Sequence, residues 1–334
     1  MEDRPRDPIR HKTAGGRPTE VLIVDDSVVV RRIMAKVLSD DPHFSVTGAV
    51  SNGEQALDFV RSQPVDLVLL SATCREGSDV ALQALALGAC DVISKPSAGH
   101  FSDVFIEHLV DRLLHLVPAT ERARTPEKLD QNAARLRPMG SIVRAVGIGG
   151  STGGIGAVTS LMAEFPAQMP VPVFITQHLP ANFQPLFADQ LRRATQLPIV
   201  IAEDGMDVRA GTVHIAPGRA HLSLTRSARG TVAIKLTTER CLHGGFPAVD
   251  PMFQAMARIY GTGACGVILS GMGRDGLAGA QALAEAGGWV LAQDHASSAV
   301  WGMPGSVVKA GLASAILPPN AMARIILELR QVAA

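Results

Sequence analysis

From residue 21 onward the chain alternates short apolar runs with stretches of helical period. Val21–Val24 is a continuous apolar run, the mark of a strand buried on both faces of a parallel sheet. Ser27 can cap a helix that runs to Leu38. The pattern then predicts a strand at Phe44–Val50, a helix at Glu54–Val60 and a strand at Asp66–Ala72. A helix at Asp79–Leu87, a strand at Cys90–Ser94 and a helix at Phe101–Leu116 come next. Regular β–α alternation of this kind implies a parallel sheet with helices on both faces.

Pro118–Gly140 breaks the rhythm. It is charged, poor in large apolar groups and reads as a linker. After it, strands are expected at Ala145–Ile148, Val173–His178, Pro198–Ala202, Cys265–Ser270, Trp289–Ala292 and near Ala315–Leu317. Thr212–Ala216, Leu222–Thr225 and Val232–Leu236 are short, alternating and joined by glycine-containing turns. Together they predict an antiparallel hairpin inserted in the sheet. The expected fold is therefore α/β, with two doubly wound parallel-sheet domains, the second carrying that hairpin. The expected bounds are 20–117 for the first domain, 118–140 for the linker and 141–332 for the second.

Composition narrows the function classes. The 334 residues are 47% hydrophobic, and 31 Lys and Arg balance 31 Asp and Glu. A neutral balance gives no reason to expect nucleic acid. No apolar run reaches the roughly 20 residues of a membrane span, and no secretory signal is legible, so a cytoplasmic protein without membrane insertion is expected. Aromatics are only 4%, which leaves the core to Leu, Val, Ile, Ala and Met. Cys74, Cys90, Cys241 and Cys265 have no C-x-x-C spacing and are expected to be inert thiols.

The chemistry concentrates where apolar runs end. Gly149-Gly150-Ser151-Thr152-Gly153 fits G-x-S-x-G between a strand and a helix starting near Ile155. Such a turn lifts a serine hydroxyl out of the fold beside a helix N-terminus, where developing negative charge is favoured. A phosphate-binding or purely structural turn fits the same residues. The dinucleotide fingerprint starting at Gly147 and Gly149 fails only at Thr152.

Asp25 and Asp26 close the first strand, and Lys95-Pro96 follows the strand at Cys90–Ser94. Two carboxylates suit a weakly held Mg²⁺ ion and a lysine suits a phosphoryl oxygen. For either piece alone, a capped helix start and a surface lysine are the favoured explanation. Together with Gly53-Glu54-Gln55-Ala56 and Ala84–Ala89, these residues resemble a response-regulator receiver domain. That family carries its phosphoacceptor Asp at the end of the third strand. Here Ser71 stands there, and Asp66 lies at the strand's other end. The resemblance thus implies a receiver-like domain without a phosphoacceptor, lacking the segment between strands 3 and 4. A strand–helix–strand unit of that kind takes roughly 30 residues.

A serine nucleophile needs a base, and the base needs an orienting group. His178 ends a predicted strand and Asp275 comes after another, so both belong at the C-terminal edge that carries Ser151. His214, His221, His243 and His295 are rival histidines, and Asp250 and Asp294 rival acids. The order Ser…His…Asp differs from that of α/β-hydrolases. The motifs Gly150–Gly154, Thr176-Gln177-His178, Ala216-Pro217-Gly218, Gly271–Gly276, Ala292-Gln293-Asp294, Ala296-Ser297-Ser298 and Gly302-Met303-Pro304 come in order. They resemble the catalytic domain of chemotaxis protein-glutamate methylesterases, the CheB family. The resemblance implies Ser151 as nucleophile, His178 as general base and acid, and Asp275 as the group orienting His178. The backbone amides of Thr152 and Met272 are candidate oxyanion donors. It further implies demethylation of methyl-accepting chemoreceptors, possible glutamine deamidation, no cofactor for catalysis and a chemotaxis histidine kinase as partner. A receptor-docking adaptor without turnover is the competing expectation, and a nucleotide-binding protein built on Gly147–Gly154 a further one.

Overall fold

The computed structural model describes residues 18–63, 65–70, 105–107, 109, 110, 113, 142–227, 230–239, 241 and 246–331. The chain divides into two compact units.

The first unit holds β1 (Thr19–Val24), α1 (Val28–Ser39), β2 (Phe44–Val50), α2 (Gly53–Ser62) and β3 (Leu67–Leu70). Among the described residues its sheet has three strands in the order β2-β1-β3, all parallel. Val21, Leu22 and Ile23 are fully buried, as a strand covered on both sides requires. Ser27 caps α1 by accepting the Val30 amide, and Asn52 caps α2 by accepting that of Gln55. The expected elements at Asp79–Leu87 and Cys90–Ser94, the linker and Lys95 lie outside the described residues.

The second unit is a doubly wound α/β sheet. Its strands are β4 (Ala145–Gly150), β5 (Val173–Gln177), β6 (Ile199–Ile201), β7 (Val213–Ile215), β10 (Ala264–Ile268), β11 (Trp289–Gln293) and β12 (Ala315–Leu317). They run in the order β12-β11-β10-β4-β5-β7-β6, every pair parallel. From β4 the chain first builds outward through β5, then returns to build outward through β10. The order therefore reverses beside β4, and open α/β sheets place their sites at such a switch point.

β8 (His221–Arg226) and β9 (Val232–Thr237) pair antiparallel as a separate two-stranded sheet. This corrects one expectation. Thr212–Ala216 is not part of the hairpin, because Val213–Ile215 lies inside the parallel sheet between β5 and β6. Its alternating look comes from His214, which is 1% exposed and stacks on Phe174 at 5.5 Å. Burial lowers the pKa of His214 and keeps the ring neutral at a position that reads as polar.

The helices are α3 (Gly154–Ala163), α4 (Gln184–Ala194), α5 (Val249–Tyr260), α6 (Leu277–Glu285), α7 (Met303–Lys309) and α8 (Pro319–Gln331). α5 supplies the middle of the core through Met252, Phe253 and Met256, all fully buried. It lies directly on β4. A Cβ at Gly149 would stand 2.5 Å from Val249 Cγ1, so only glycine lets helix and strand approach this closely.

Candidate active site

Ser151 follows β4 at the centre of the sheet. The turn depends on Gly153, whose φ of +73° lies in the left-handed region and whose missing Cβ would meet Ala299 at 2.5 Å. The Ser151 amide donates to the Ser270 carbonyl at 3.0 Å, tying the turn to the end of β10. Its carbonyl accepts the Gln177 side-chain amide at 2.7 Å and the Gly154 amide at 2.8 Å. Ser270 Oγ donates to the Thr152 carbonyl at 2.8 Å and accepts the Val300 amide at 2.9 Å. The nucleophile loop is thus held by both strands that flank β4.

His178 follows β5, the neighbour on one side. Asp275 follows β10, the neighbour on the other, after the loop Ser270–Arg274. Nδ1 of His178 lies 3.1 Å from Ser151 Oγ, and its Nε2 lies 2.6 Å from Asp275 Oδ2. A carboxylate only accepts, so Nε2 carries the proton and Nδ1 presents its lone pair to the serine hydroxyl. The His178 side chain is 25% exposed and that of Asp275 only 2%, so the acid is sealed while the imidazole edge faces solvent.

Asp275 is heavily solvated by the protein itself. Besides His178, the Val249 amide donates to Oδ2 at 2.7 Å, and those of Asp250 and Gly276 donate to Oδ1 at 3.2 and 2.9 Å. Burial pushes its pKa up, but the His178 hydrogen bond and charge, with the Val249 and Asp250 amides, outweigh it. The net result lies below the ordinary 3.8. Two of those amides open α5, whose N-cap Ala248 has no capping side chain. The acid of β10 therefore also caps a helix from another part of the chain.

A hydroxyl, an imidazole and a buried carboxylate in one hydrogen-bonded line can deprotonate the serine and stabilise the resulting imidazolium. The sequence profile of the CheB methylesterase family matches residues 146–326, which include all three residues. The chain belongs to the CheB methylesterase family. The response-regulator receiver profile matches residues 21–73. The protein-glutamate methylesterase/protein-glutamine glutaminase of group 2 operon from Rhodospirillum centenum is 32% identical over 95% of this chain and 96% of its own length. The protein-glutamate methylesterase/protein-glutamine glutaminase of Trichodesmium erythraeum is 34% identical over 92% and 97%. The crystal structure of the Thermotoga maritima CheB methylesterase catalytic domain is 36% identical. It superimposes with a TM-score of 0.54 over 56% of this chain and 98% of that one.

Within this CheB-family fold the rival residues have other work. Asp250 accepts the Gly279 amide at 2.7 Å, and Asp294 accepts the Ser297 amide at 2.7 Å. His295 stacks edge-on against Trp301 at 5.2 Å. His221 accepts the Ala248 amide at Nδ1, 2.8 Å away, and donates from Nε2 to the Glu239 carbonyl at 2.9 Å. Burial lowers its pKa from 6.5. His243 lies outside the described residues, as do Cys74 and Cys90. Burial raises the thiol of Cys265 to about 12 and that of Cys241 above its ordinary value, so neither is a nucleophile at neutral pH.

The amide clamp on Asp275 is the part sequence reasoning missed, because helix α5 was not among the expected elements. A signal was present: Asp250-Pro251 followed by Met252, Phe253 and Met256 is a helix start with a helical apolar stripe.

In the first unit, Asp25 is buried and its Oδ1 accepts the Ser27 amide at 2.7 Å, while Asp26 is exposed. Asp66 sits at the opposite end of the sheet, where its Oδ2 accepts the Glu20 amide at 2.9 Å. Among the described residues no three acidic, His or Cys side chains gather to hold a metal. Among the described residues Asp25 and Asp26 offer two carboxylates at one strand end, with one Asp25 oxygen engaged by the Ser27 amide, a sparse donor set for an ion that takes oxygen ligands.

Proposed function

We propose that this protein is a serine hydrolase that demethylates glutamate methyl esters on chemoreceptor signalling domains, and deamidates glutamines at the same site. The observation that carries this reading is the line from Ser151 Oγ through His178 to Asp275, spanned by contacts of 3.1 and 2.6 Å. The Rhodospirillum and Trichodesmium relatives are both named for these two reactions, and they align over nearly the whole chain.

Ser151 Oγ attacks the ester carbonyl as its proton passes to His178 Nδ1. The new imidazolium is held by the Asp275 carboxylate, which stays ionised. The tetrahedral oxyanion is assigned to the backbone amides of Thr152 and Met272. Supporting this, Gly271, the neighbour of Met272 in the chain, runs so close to the nucleophile that a Cβ there would lie 2.9 Å from Ser151 Cβ. Collapse breaks the ester C–O bond, and methanol leaves with the proton from His178. Water then attacks the acyl-serine, gives its proton to His178, and releases the glutamate and a restored Ser151. A glutamine side chain takes the same course with ammonia as the leaving group.

Nucleophile, base and orienting acid all come from the chain, so this reading assigns no cofactor to catalysis. The receptors are the substrate partners, and the receiver-like unit gives a chemotaxis histidine kinase as a second partner by resemblance, without phosphotransfer because Ser71 stands where that family's acceptor Asp does. The compartment is the cytoplasm, where receptor signalling domains stand; among the described residues no helix is long and apolar enough to cross a membrane. A docking adaptor without turnover would have no use for the aligned triad.

The test is methanol release from methylated receptor. Ser151→Ala should lower kcat on the order of 10⁴ to 10⁶-fold while leaving Tm unchanged. A near-normal rate in that variant removes Ser151 from the mechanism. No methanol from the unaltered protein supports the adaptor.

A further inference from the structure

His221 is buried, lies beside the triad and has no part in the proton transfers of the hydrolysis. It opens β8 and is 1% exposed. Both ring nitrogens are committed: Nδ1 accepts the Ala248 amide at 2.8 Å, and Nε2 faces the Glu239 carbonyl at 2.9 Å and the Cys241 thiol at 3.5 Å. The Phe246 ring packs against it with centroids 4.6 Å apart. A histidine so engaged has no lone pair left to offer a substrate, so it is no substitute base.

The Ala248 amide matters because of its neighbours in the chain. Ala248, Val249 and Asp250 present three consecutive N–H groups. The first goes to His221, and the next two go to Asp275. Ala248 has no side chain with which to cap α5, and the three amides at the start of the helix go to these two outside acceptors. The Val249 amide and His178 Nε2 share the same oxygen of Asp275, at 2.7 and 2.6 Å. Whatever places the Val249 amide also places the oxygen that orients the base.

We propose that His221 is a positioning residue of the hydrolase, setting the first turn of α5 so that its amides aim the Asp275 carboxylate at His178. It acts through a neutral ring with an unprotonated Nδ1. The inference rests on the triad reading of Ser151, His178 and Asp275. An anchor lost one residue from the clamp displaces the acid by a fraction of an ångström to an ångström, a scale at which rates fall about 10²-fold.

The experiment compares His221→Leu, His221→Asn and His221→Gln in the full chain, with Ser151→Ala alongside. An Asn side chain sets its carbonyl oxygen where Nδ1 stands and can still accept from Ala248; a Gln amide reaches instead toward the Nε2 position. Methanol release should show kcat lowered about 10²-fold in the Leu variant with KM within about threefold, kcat largely restored by Asn, and little restored by Gln. The far-downfield proton resonance of the His178–Asp275 hydrogen bond should shift in the Leu variant and return with Asn. If the Leu variant fails to fold, the Asn and Gln pair decides alone. Equal rates for Asn and Gln, or a Leu variant with unaltered kcat and resonance, overturn the proposal. A Ser151→Ala variant that keeps its rate would overturn the triad reading itself, and so tells the two failures apart.

Discussion

Asp275→Asn separates the two tasks of one carboxylate. The wild-type side chain accepts four N–H groups, from His178 and Val249 on Oδ2 and from Asp250 and Gly276 on Oδ1. An asparagine has one oxygen, so its NH₂ must face one of these pairs. Facing Asp250 and Gly276, it orphans two buried amides. Facing Val249 and His178, it orphans one amide and forces Nε2 to accept, which moves the imidazole proton to Nδ1 and turns it toward Ser151. An orphaned buried donor costs about 1–3 kcal/mol. The second arrangement is therefore preferred by about that amount, roughly five- to 150-fold in population. It is also the one in which His178 cannot act as base. Adding the lost charge opposite the imidazolium, kcat should fall about 10³ to 10⁴-fold with KM little changed. The remaining orphan should lower Tm by roughly 2–10 °C in a unit of this size. Since Asp275 is held below 3.8 in the fold, its stabilisation is fully present above that pH and is lost as pH falls through the depressed value. The Tm gap between wild type and variant should thus be flat near neutrality and close in acid. Steady-state methanol release and thermal melts from neutral to strongly acidic pH check both parts. A kcat within tenfold of wild type, or a gap that widens on acidification, would refute the reasoning.

The same geometry fixes two other outcomes. His178→Gln should lower kcat for methanol release on the order of 10⁴-fold or more, because it removes the imidazole that takes the Ser151 proton; a rate near that of the unaltered protein means that another group is the base. Incubation with acetyl phosphate and Mg²⁺ should leave no stable aspartyl phosphate on residues 21–116 and should not raise methanol release, since Asp66 stands at the far end of the sheet from Asp25. Acid-labile label together with a faster rate would show that some carboxylate has replaced the acceptor.

What was legible in the sequence was whatever a periodic pattern or a local turn dictates. β4, β5 and β10 announce themselves as apolar runs because both faces of a central parallel strand are covered. Ser151, His178 and Asp275 come after those runs, and a parallel sheet sends all three to one edge. The hairpin was overextended because Val213–Ile215 is only three residues long with a buried histidine in the middle, which looks like polar alternation. The choice of Nδ1 toward Ser151 was invisible, because spacing along the chain says nothing about which way a ring is turned.

The missing local cap at α5 has a physical reason. Helix starts are legible when the capping side chain is local, as Ser27 and Asn52 show for α1 and α2. At α5 the cap is Asp275, which lies beyond the helix in sequence and belongs to the end of another strand. The absence of a local cap is then what makes the acid useful: the first-turn amides of Val249 and Asp250 stay available to a carboxylate that must remain ionised in a buried place. A capping Ser or Asp at position 248 would compete for the Asp250 amide, since Pro251 offers no N–H. Ala248, which lacks any such group and is held through its backbone by His221, leaves both amides to Asp275. A residue that reads as a weak helix start is therefore part of how the fold keeps its buried acid charged and aimed at His178.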